Sequence, residues 1–473
     1  MLNSLTQDIT ARLQTVLPAA ALKDPEPRYL EDPRGRFAGK AGVVVAPSTT
    51  EEVAAVVREA NAARVPIVPF GGGTGLVGGQ VLAEGPMPIL LSLERLNRIR
   101  EVNTDDAVLV AEAGVILATV QDAARERGFL FPLSIASEGS ARIGGNLSTN
   151  AGGLNVLRYG NCRDLCLGIE AVLPDGNILH GLKRLRKDNT GYDLRHLLIG
   201  AEGTLGVITA AALRLFPVPT SQATGYLAVP DPASALALLS MARARLGEAI
   251  SAFELIAAQA LRFLDETGVS YRDPLPERPD WAVLIDVGLS GQGGAGDAAA
   301  ALEALFEEAS AAGLVTDGIL ASSEAQRADL WHLREVLPEG NKRVGAVASH
   351  DVSLPLSRVA EFLDRGRQVI ASVADVRINC YGHLGDGNLH YNVFPQPGRK
   401  AADYGNVRDA LIRAVHDLVA DCNGSISAEH GIGRMKVDDL ERYGDPAKLA
   451  AMRAIKSALD PNGIMNPGAV LKS

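Results

Sequence analysis

Cysteine is scarce in this chain: Cys162, Cys166, Cys380 and Cys422 are the only four among 473 residues, and no two of them form a CxxC pair. That excludes an encoded zinc ribbon or iron–sulfur cluster and leaves the four thiols as reduced bystanders. No apolar stretch is long enough to span a bilayer. No basic run stands out either, with 46 Lys and Arg against 56 Asp and Glu for a formal charge of −10, which argues against a nucleic-acid role. A signal-peptide pattern is missing from the N-terminus. Leu2, Leu5, Ile9, Leu13 and Val16 instead follow helical spacing around Asp8 and Arg12, and the expectation is an amphipathic helix in a cytoplasmic protein. An HExxH element is absent too, and with it the commonest zinc-hydrolase signature.

The chain does have ample apolar content, 47%, for two or more domains, and 49 glycines that cluster. Clustering points to backbone pressed against a ligand. A strand over 42–46 precedes a helix capped by Thr49 and Glu52 and running to about Ala63, and a second strand over 65–70 runs into GGGTGLVGG, 71–79. Such a loop brings many backbone N–H groups to one anion. It contains a literal GxGxxG at Gly73, Gly75 and Gly78, with Glu94 at the distance of a ribose-binding acid, so an NAD-binding Rossmann unit is an alternative. That alternative demands a helix opening within the motif, whereas 80–88 is broken by Gly85 and two prolines before an apolar strand, 89–93. A Walker A loop is excluded, because no Gly-Lys-Ser/Thr follows.

A second glycine-rich stretch, 137–160, is too long and too poor in apolar residues for an ordinary helix or strand. Two cradles suit an extended ligand with a pyrophosphate, such as a dinucleotide. Strands over 166–173 and 177–181 flank the Pro174-Asp175-Gly176 turn, and 191–208 is a third glycine-punctuated segment before a strand ending at Phe216.

PVPT, 217–220, reads as a rigid domain boundary. Beyond it, alanine-rich helices (232–245, 294–312, 323–337) alternate with apolar strands (281–289, 347–354), the pattern of a compact α+β domain. A helix over 406–422 ends at Asn423-Gly424, and 459–471 holds too many turn formers for a helix and is expected to wrap back onto a partner domain.

Chemistry concentrates in NCYGHLGDGNLHYNVF, 379–394. Asp386-Gly387 is the dipeptide preferred by a two-residue type I′ turn, which would put His383 directly opposite His390 with Cβ atoms roughly 5 Å apart. The period of two puts Tyr381 on the face of His383 and Asn392 on the face of His390. Glu429, in SAEHGIGRMK, is a candidate third ligand, and two His with one carboxylate suit a catalytic Zn²⁺ or related ion. Two histidines on a hairpin equally well pair with carboxylates, and spacing alone leaves both readings open. A metallohydrolase using His383, His390 and Glu429, with a phosphate held by the glycine loops, is therefore a rival function. His430 reads either as a base or as a surface group.

Taken together these segments resemble the vanillyl-alcohol-oxidase-type flavoproteins, in particular their D-lactate, glycolate and D-2-hydroxyglutarate dehydrogenase branch. PFGGGTGLVGGQ from Pro69, EGSARIGGNLSTNAGG from Glu138, GAEGTLGVIT from Gly200, GHLGDGNLH from Gly382, EHGIG from Glu429 and DPNGIMNPG from Asp460 carry the resemblance. It implies an α+β architecture: a two-part PCMH-type FAD-binding domain (1–216), an antiparallel-sheet cap domain for substrate (217–422), and a C-terminal segment returning to the flavin (423–473).

The cofactor is then FAD, lying on Pro69, Gly71, Gly72, Gly73, Thr74, Gly75 and Leu76 of the first loop. From the second come Glu138, Gly139, Ser140, Gly144, Gly145, Asn146, Thr149, Asn150, Gly152 and Gly153, with Tyr159 and Gly160 beyond. Glu202, Gly203, Gly206, Ile208 and Asn466 complete the set. Phe70 stands where some relatives place a flavin-linking histidine, so the FAD is expected to be non-covalent. The resemblance further implies a divalent metal, with zinc expected, on His383, His390 and Glu429, and His430 as the base. It places Arg334 and Asn392 on the substrate of a D-2-hydroxy acid dehydrogenase, D-2-hydroxyglutarate, D-lactate and D-malate being the candidates. By itself, Arg334 in LWHLREVL would read as a solvated helix residue.

The chain departs from the 2-hydroxyglutarate pattern twice. Ser349 stands where a substrate-binding lysine is expected and Pro338 where a threonine is, with Arg343 or His350 as possible compensations. With no cluster of its own, the chain would pass electrons to an external acceptor: an electron-transfer flavoprotein, a quinone or an iron–sulfur partner. The oligomeric state, a homodimer included, is left open.

Overall fold

The computed structural model describes residues 1–289 and 297–472. Its contacts divide the chain into two compact units, Met1–Gly152 with Gly160–Pro217 and Glu429–Ser473, and Gly153–Tyr159 with Val218–Ala428. The first unit thus takes back the chain at Glu429, a few residues beyond the expected 423, and cedes Gly153–Tyr159 to the second.

In the first unit the run of apolar residues after Gly42 forms the strand Val43–Val45, and Thr49 Oγ1 caps the helix Thr50–Ala63 by accepting from Glu52 N–H at 3.1 Å. Val43–Val45 and Ile67–Phe70 both pair in parallel with Ile89–Ser92 between them. Leu13, Val53, Val57, Ile67, Leu91 and Met465 are among the residues of the core these elements share. The N-terminal helix is Gln7–Val16, with Ile9 and Leu13 buried. A second sheet is antiparallel, in the order Ile99–Asn103, Val108–Glu112, Val207–Arg214, Cys166–Val172, Ile178–Gly181. The sequence reading names neither of its first two strands: Ile99–Asn103 (IREVN) is mostly polar, whereas Val108–Glu112 (VLVAE) is a buried apolar run that the reading passes over.

No helix follows the first glycine loop, and Glu94 accepts hydrogen bonds from Tyr29 Oη at 2.9 Å and Arg28 at 3.3 Å, with Lys23 also paired to it. The Rossmann alternative is thereby corrected: the acid is held by three side chains of its own domain. The second glycine-rich stretch does contain helix, but only the short pieces Ile143–Ser148 and Val156–Tyr159. The C-terminal turns return as expected: after the helix Pro446–Leu459, Met465 bridges in parallel to Ile67 and Asn466 N–H donates to Ile67 C=O at 2.9 Å.

The second unit is built on one antiparallel sheet in the order Asp317–Leu320, Ser221–Val229, Trp281–Leu289, Ile250–Ala257, Arg377–His383, Asn388–Phe394, Asp351–Ser353. The alanine-rich helices are Pro232–Leu246, Ala298–Ala311 and Glu324–Val344; the part of the expected 294–312 helix before Asp297 lies outside the described residues. Leu330, Leu333 and Leu337 of the third helix pack with Leu261, Leu264, Leu284 and Tyr381. That helix runs on through Pro338 to Val344, and because proline has no N–H, the carbonyl of Arg334 forgoes its usual intrahelical donor. No helix among the described residues is long and apolar enough to cross a membrane.

Candidate active site

The hairpin that carries both histidines forms in a different register from the one its turn dipeptide suggests. Tyr381 faces His390 and Asn379 faces Asn392, a displacement of two residues. The chain reverses through a 3₁₀ turn, Leu384–Asp386, closed by Gly387 at φ +80°, whereas a type I′ turn needs positive φ at both central residues and Asp386 lacks it. Only glycine fits position 387, because a Cβ there would be driven into the Leu354 carbonyl. A shift of two residues preserves the face of every side chain. His383 and His390 therefore remain neighbours, now diagonal, with ring centroids 5.5 Å apart, and the Tyr381 ring lies 5.2 Å from that of His390.

Behind each histidine stands a carboxylate. His383 is the register partner of Glu254 on the strand Ile250–Ala257, and its Nδ1 lies 2.7 Å from Glu254 Oε1. The other carboxylate oxygen, Oε2, accepts from Arg334 Nε at 2.7 Å, with Arg334 Nη2 at the same distance. Glu254 is 0% exposed and Arg334 5%. Burial would raise the Glu254 carboxyl, but the charges and hydrogen bonds of His383 and Arg334 outweigh it and hold the group at about 2. Arg334, far from being a solvated helix residue, has its guanidinium carbon 4.9 Å from the Tyr381 ring centroid. Glu254 engages Nε and Nη2 of the guanidinium.

Asp351 plays the matching part for His390. It is the register partner of His390, with Oδ1 3.8 Å from His390 Nδ1, and it accepts from Asn388 Nδ2 at 2.9 Å. Asn392 accepts from His350 N–H at 3.0 Å through Oδ1, which turns its NH₂ into the group on offer. The pairing of Ala348 with Val393 and of Asp351 with His390 sets exposed Ser349 across from Asn392. The same alternation points His350 to the opposite face, where its ring lies 5.2 Å from that of His416. Arg343 is exposed and donates to Glu339 and to the Thr267 carbonyl. Neither His350 nor Arg343 compensates for the missing lysine: strand alternation turns one away, and an ion pair on the helix surface engages the other.

In the first unit the two glycine-rich loops close on each other through backbone alone. Gly71 lies against Gly145, and a Cβ at Gly72 would collide with the Ser140 carbonyl. Pro69 lies within the strand Ile67–Phe70, while Thr74, Gly75 and Leu76 are half-buried in the loop, as are Thr149, Asn150 and Gly160 near the second. Glu138 and Ser140 flank Gly139, where a Cβ would meet open space. Gly144 and Asn146 are buried on the short helix Ile143–Ser148, and Asn146 Oδ1 is buried with no hydrogen-bond partner. Gly152 ends the stretch, and Gly153 and Tyr159 belong to the second unit, where the intervening Arg158 donates to Gly288 C=O at 2.7 Å.

The third segment holds the EHGIG stretch in place. Glu202 accepts from Ile432 N–H at 2.7 Å and Gly433 N–H at 2.8 Å, and its own carbonyl accepts from Asn466 Nδ2 at 2.8 Å. Asn466 also accepts from Arg434, which donates further to Gly78 C=O and Gly79 C=O. Gly203 and Gly206 have positive φ beside it, and Ile208 is buried on the strand Val207–Arg214. Glu429 and His430, both half-buried, open this segment. Glu202 and Asn466 are thereby positioning residues, which fix the backbone just after His430.

A dinucleotide fits this first-unit set, because two glycine loops meeting by backbone, an unpartnered buried amide oxygen and an open Gly139 are what a pyrophosphate-bearing ligand requires. A divalent metal fits His383, because the Glu254 carboxylate on its Nδ1 fixes the ring so that Nε2 is the nitrogen a metal takes, and His390 offers a ligand nitrogen within 4.8 Å of it. Sequence reasoning missed Glu254 and Asp351. The available signal was a lone carboxylate inside an otherwise apolar strand, ISAFELIA for Glu254.

Comparison with known proteins supports the FAD site. A model described as "FAD binding domain" matches residues 41–181, and one described as "FAD linked oxidases, C-terminal domain" matches residues 218–470. The chain belongs to this family of FAD-linked oxidases and is an FAD-dependent oxidoreductase. It is 40% identical over 468 residues to the mitochondrial D-2-hydroxyglutarate dehydrogenase of Bos taurus, covering 98% of this chain and 83% of that one. To the D-2-hydroxyglutarate dehydrogenase of Xanthomonas citri pv. viticola it is 38% identical, covering 98% and 96%. Among solved structures, p-cresol methylhydroxylase with substrate bound superposes with a TM-score of 0.77 at 15% identity, covering 99% of this chain and 98% of that one. The 4-ethylphenol oxidase of Gulosibacter chungangensis does so at 0.72 and 19%, with the same coverage. The fold is therefore the vanillyl-alcohol-oxidase, or PCMH, type: an FAD-binding part with an α+β substrate part.

Proposed function

We propose that this chain oxidises a D-2-hydroxy acid to the 2-oxo acid, with D-2-hydroxyglutarate, D-lactate and D-malate as the candidate substrates, using non-covalent FAD and a divalent metal, zinc by its donor set. The observation that carries the proposal is the pair of carboxylate-backed histidines, His383 on Glu254 and His390 beside Asp351, in a chain of the FAD-linked oxidase family. The relatives named D-2-hydroxyglutarate dehydrogenase support the substrate class. When bound, FAD would accept the hydride from C2 and the metal would acidify the hydroxyl.

His383 and His390 would hold the metal through Nε2, with Glu429 as the third ligand. Ala428 N–H donates to Asp351 C=O at 3.2 Å, so the residue just before Glu429 is tied to the strand paired with His390. His430, as a neutral imidazole, would take the hydroxyl proton near neutral pH. Arg334 Nη1 and Asn392 Nδ2 would receive the substrate carboxylate, the guanidinium by its planar fork and the amide as a donor turned outward by its bond to His350 N–H. Phe70 packs edge-on against Tyr29 at 5.3 Å and offers no atom for a flavin linkage. Electrons would leave to an external acceptor: an electron-transfer flavoprotein, a quinone or an iron–sulfur protein. A metallohydrolase reading of the same histidines has no use for the FAD-binding segment and is set aside.

The test is an anaerobic visible spectrum of the purified protein during additions of D- and L-2-hydroxy acids, with and without EDTA. Bleaching of a flavin band by a D-acid, abolished by the chelator and restored by Zn²⁺, is the expected outcome. Full bleaching in a metal-stripped sample would remove the metal from the mechanism, and no bleaching by any acid would remove the reaction.

A further inference from the structure

We infer that Tyr381 is a positioning residue for the proposed reaction. Its ring, held between the Arg334 guanidinium and the His390 imidazole, sets the spacing and tilt of the two groups that would take the substrate's carboxylate and, through the metal, its hydroxyl. This rests on the 2-hydroxy acid reading above and adds the side chain that ties its two ends together.

Tyr381 is 4% exposed and packs with Leu330, Leu333 and Leu337 of the helix that carries Arg334. Strands on both sides fix its place, with Ile256 and His390 as its register partners. The Arg334 guanidinium carbon lies 4.9 Å from the ring centroid, within the roughly 6 Å over which a ring face attracts a cation. The His390 ring lies 5.2 Å away at an interplanar angle of 57°. Five side chains thereby close a circuit. Glu254 joins Arg334 to His383, at 2.7 Å on each side. The His383 and His390 rings are 5.5 Å apart, and Tyr381 leads from His390 back to Arg334.

Each neighbour gains a constraint that its carboxylate does not supply. Glu254 grips one edge of the guanidinium, through Nε and Nη2, and a planar group held along one edge still rocks about it. A ring against the face resists that rocking. On the other side, Asp351 Oδ1 stands 3.8 Å from His390 Nδ1, a distance for charge attraction and beyond a hydrogen bond, whereas Glu254 reaches His383 Nδ1 at 2.7 Å. Ring contacts therefore carry more of the orientation of His390 than of His383. A 2-hydroxy acid presents its carboxylate and its hydroxyl on adjacent carbons, so the groups that receive them must keep one spacing. Misplacement by about 1 Å costs on the order of a hundredfold in rate.

Two sets of variants test the ring in the holoenzyme, by steady-state kinetics with D-2-hydroxyglutarate and an artificial electron acceptor. Tyr381→Leu keeps apolar bulk and removes the ring. It should lower kcat/KM by about ten- to a hundredfold, chiefly through KM, with the flavin spectrum unchanged, and Tyr381→Phe should recover most of that loss. In the second set, position 381 carries phenylalanine and then increasingly fluorinated phenylalanines, which nearly preserve packing while weakening the ring's attraction for a cation. KM should climb stepwise, by about two- to fivefold overall. A flat fluorine series, or a leucine variant with the wild-type KM, overturns the positioning role and leaves Tyr381 as a core residue. A phenylalanine variant as poor as the leucine one assigns the effect to the hydroxyl and overturns the ring equally. The fluorine series stands even if the leucine variant fails to fold. Failure of D-2-hydroxyglutarate, D-lactate and D-malate alike to reduce the wild-type flavin would instead overturn the dehydrogenase reading itself.

Discussion

The Nδ1 of His383 lies 2.7 Å from Oε1 of Glu254, while the other oxygen of the same carboxylate takes Arg334. One buried acid thus orients the His383 imidazole and the Arg334 guanidinium together. Glu254→Gln keeps the shape and removes the charge. It should weaken zinc retention about 10- to 100-fold in a chelator competition. It should also lower the thermal midpoint, because Arg334 is left buried and unpaired, a loss on the order of 3–5 kcal/mol. Unchanged zinc retention would show that Glu254 serves packing alone.

His430→Ala should keep the flavin spectrum and reduce the rate of anaerobic flavin bleaching by about two to four orders of magnitude. Bleaching at the wild-type rate would move the base elsewhere.

Glu202 binds two backbone N–H groups, those of Ile432 and Gly433, just beyond His430. Glu202→Ala removes both acceptors, and amide exchange at these two residues should quicken strongly while the strand Trp281–Leu289 exchanges as before. If protection at Ile432 and Gly433 persists, the EHGIG stretch is held by Arg434 and Asn466 without it.

Acid stability should carry the signature of Glu94. Burial alone would raise this carboxyl, but hydrogen bonds from Lys23 and Tyr29, with the Arg28 charge, bring it below its ordinary value. A carboxyl lowered on folding contributes stability above its unfolded value, and that contribution is lost as the pH falls. Urea midpoints between about pH 7 and pH 3 should therefore fall less steeply for Glu94→Gln than for the wild type, and identical slopes would assign the acid limb to other groups.

Local chemistry was legible in the sequence where the governing interactions are local. The Thr49 cap, the strand Trp281–Leu289 and the face shared by His383, His390 and Asn392 all follow from neighbours a few residues apart. The hairpin register did not, because Gly387 beneath the Leu354 carbonyl and the pairing of His383 with Glu254 outweigh the preference of an Asp-Gly dipeptide. Arg334 was misread alone for the same reason: its burial depends on a carboxylate 80 residues away. Asp351 hid in plain view within ASHDVSLP, since only its pairing with His390 shows what it does.

Ile67–Phe70 is the outer strand of its sheet, and the residue that bridges to it is Met465. A nascent chain leaving the ribosome therefore displays that strand with one side unpaired until Met465 emerges. At about 5–20 residues per second, the intervening stretch of roughly 400 residues takes on the order of 20–80 s to synthesise. For that interval an apolar strand edge is open to wrong partners, so stop codons placed shortly before the Met465 codon should yield insoluble product even though they spare His383, His390 and His430.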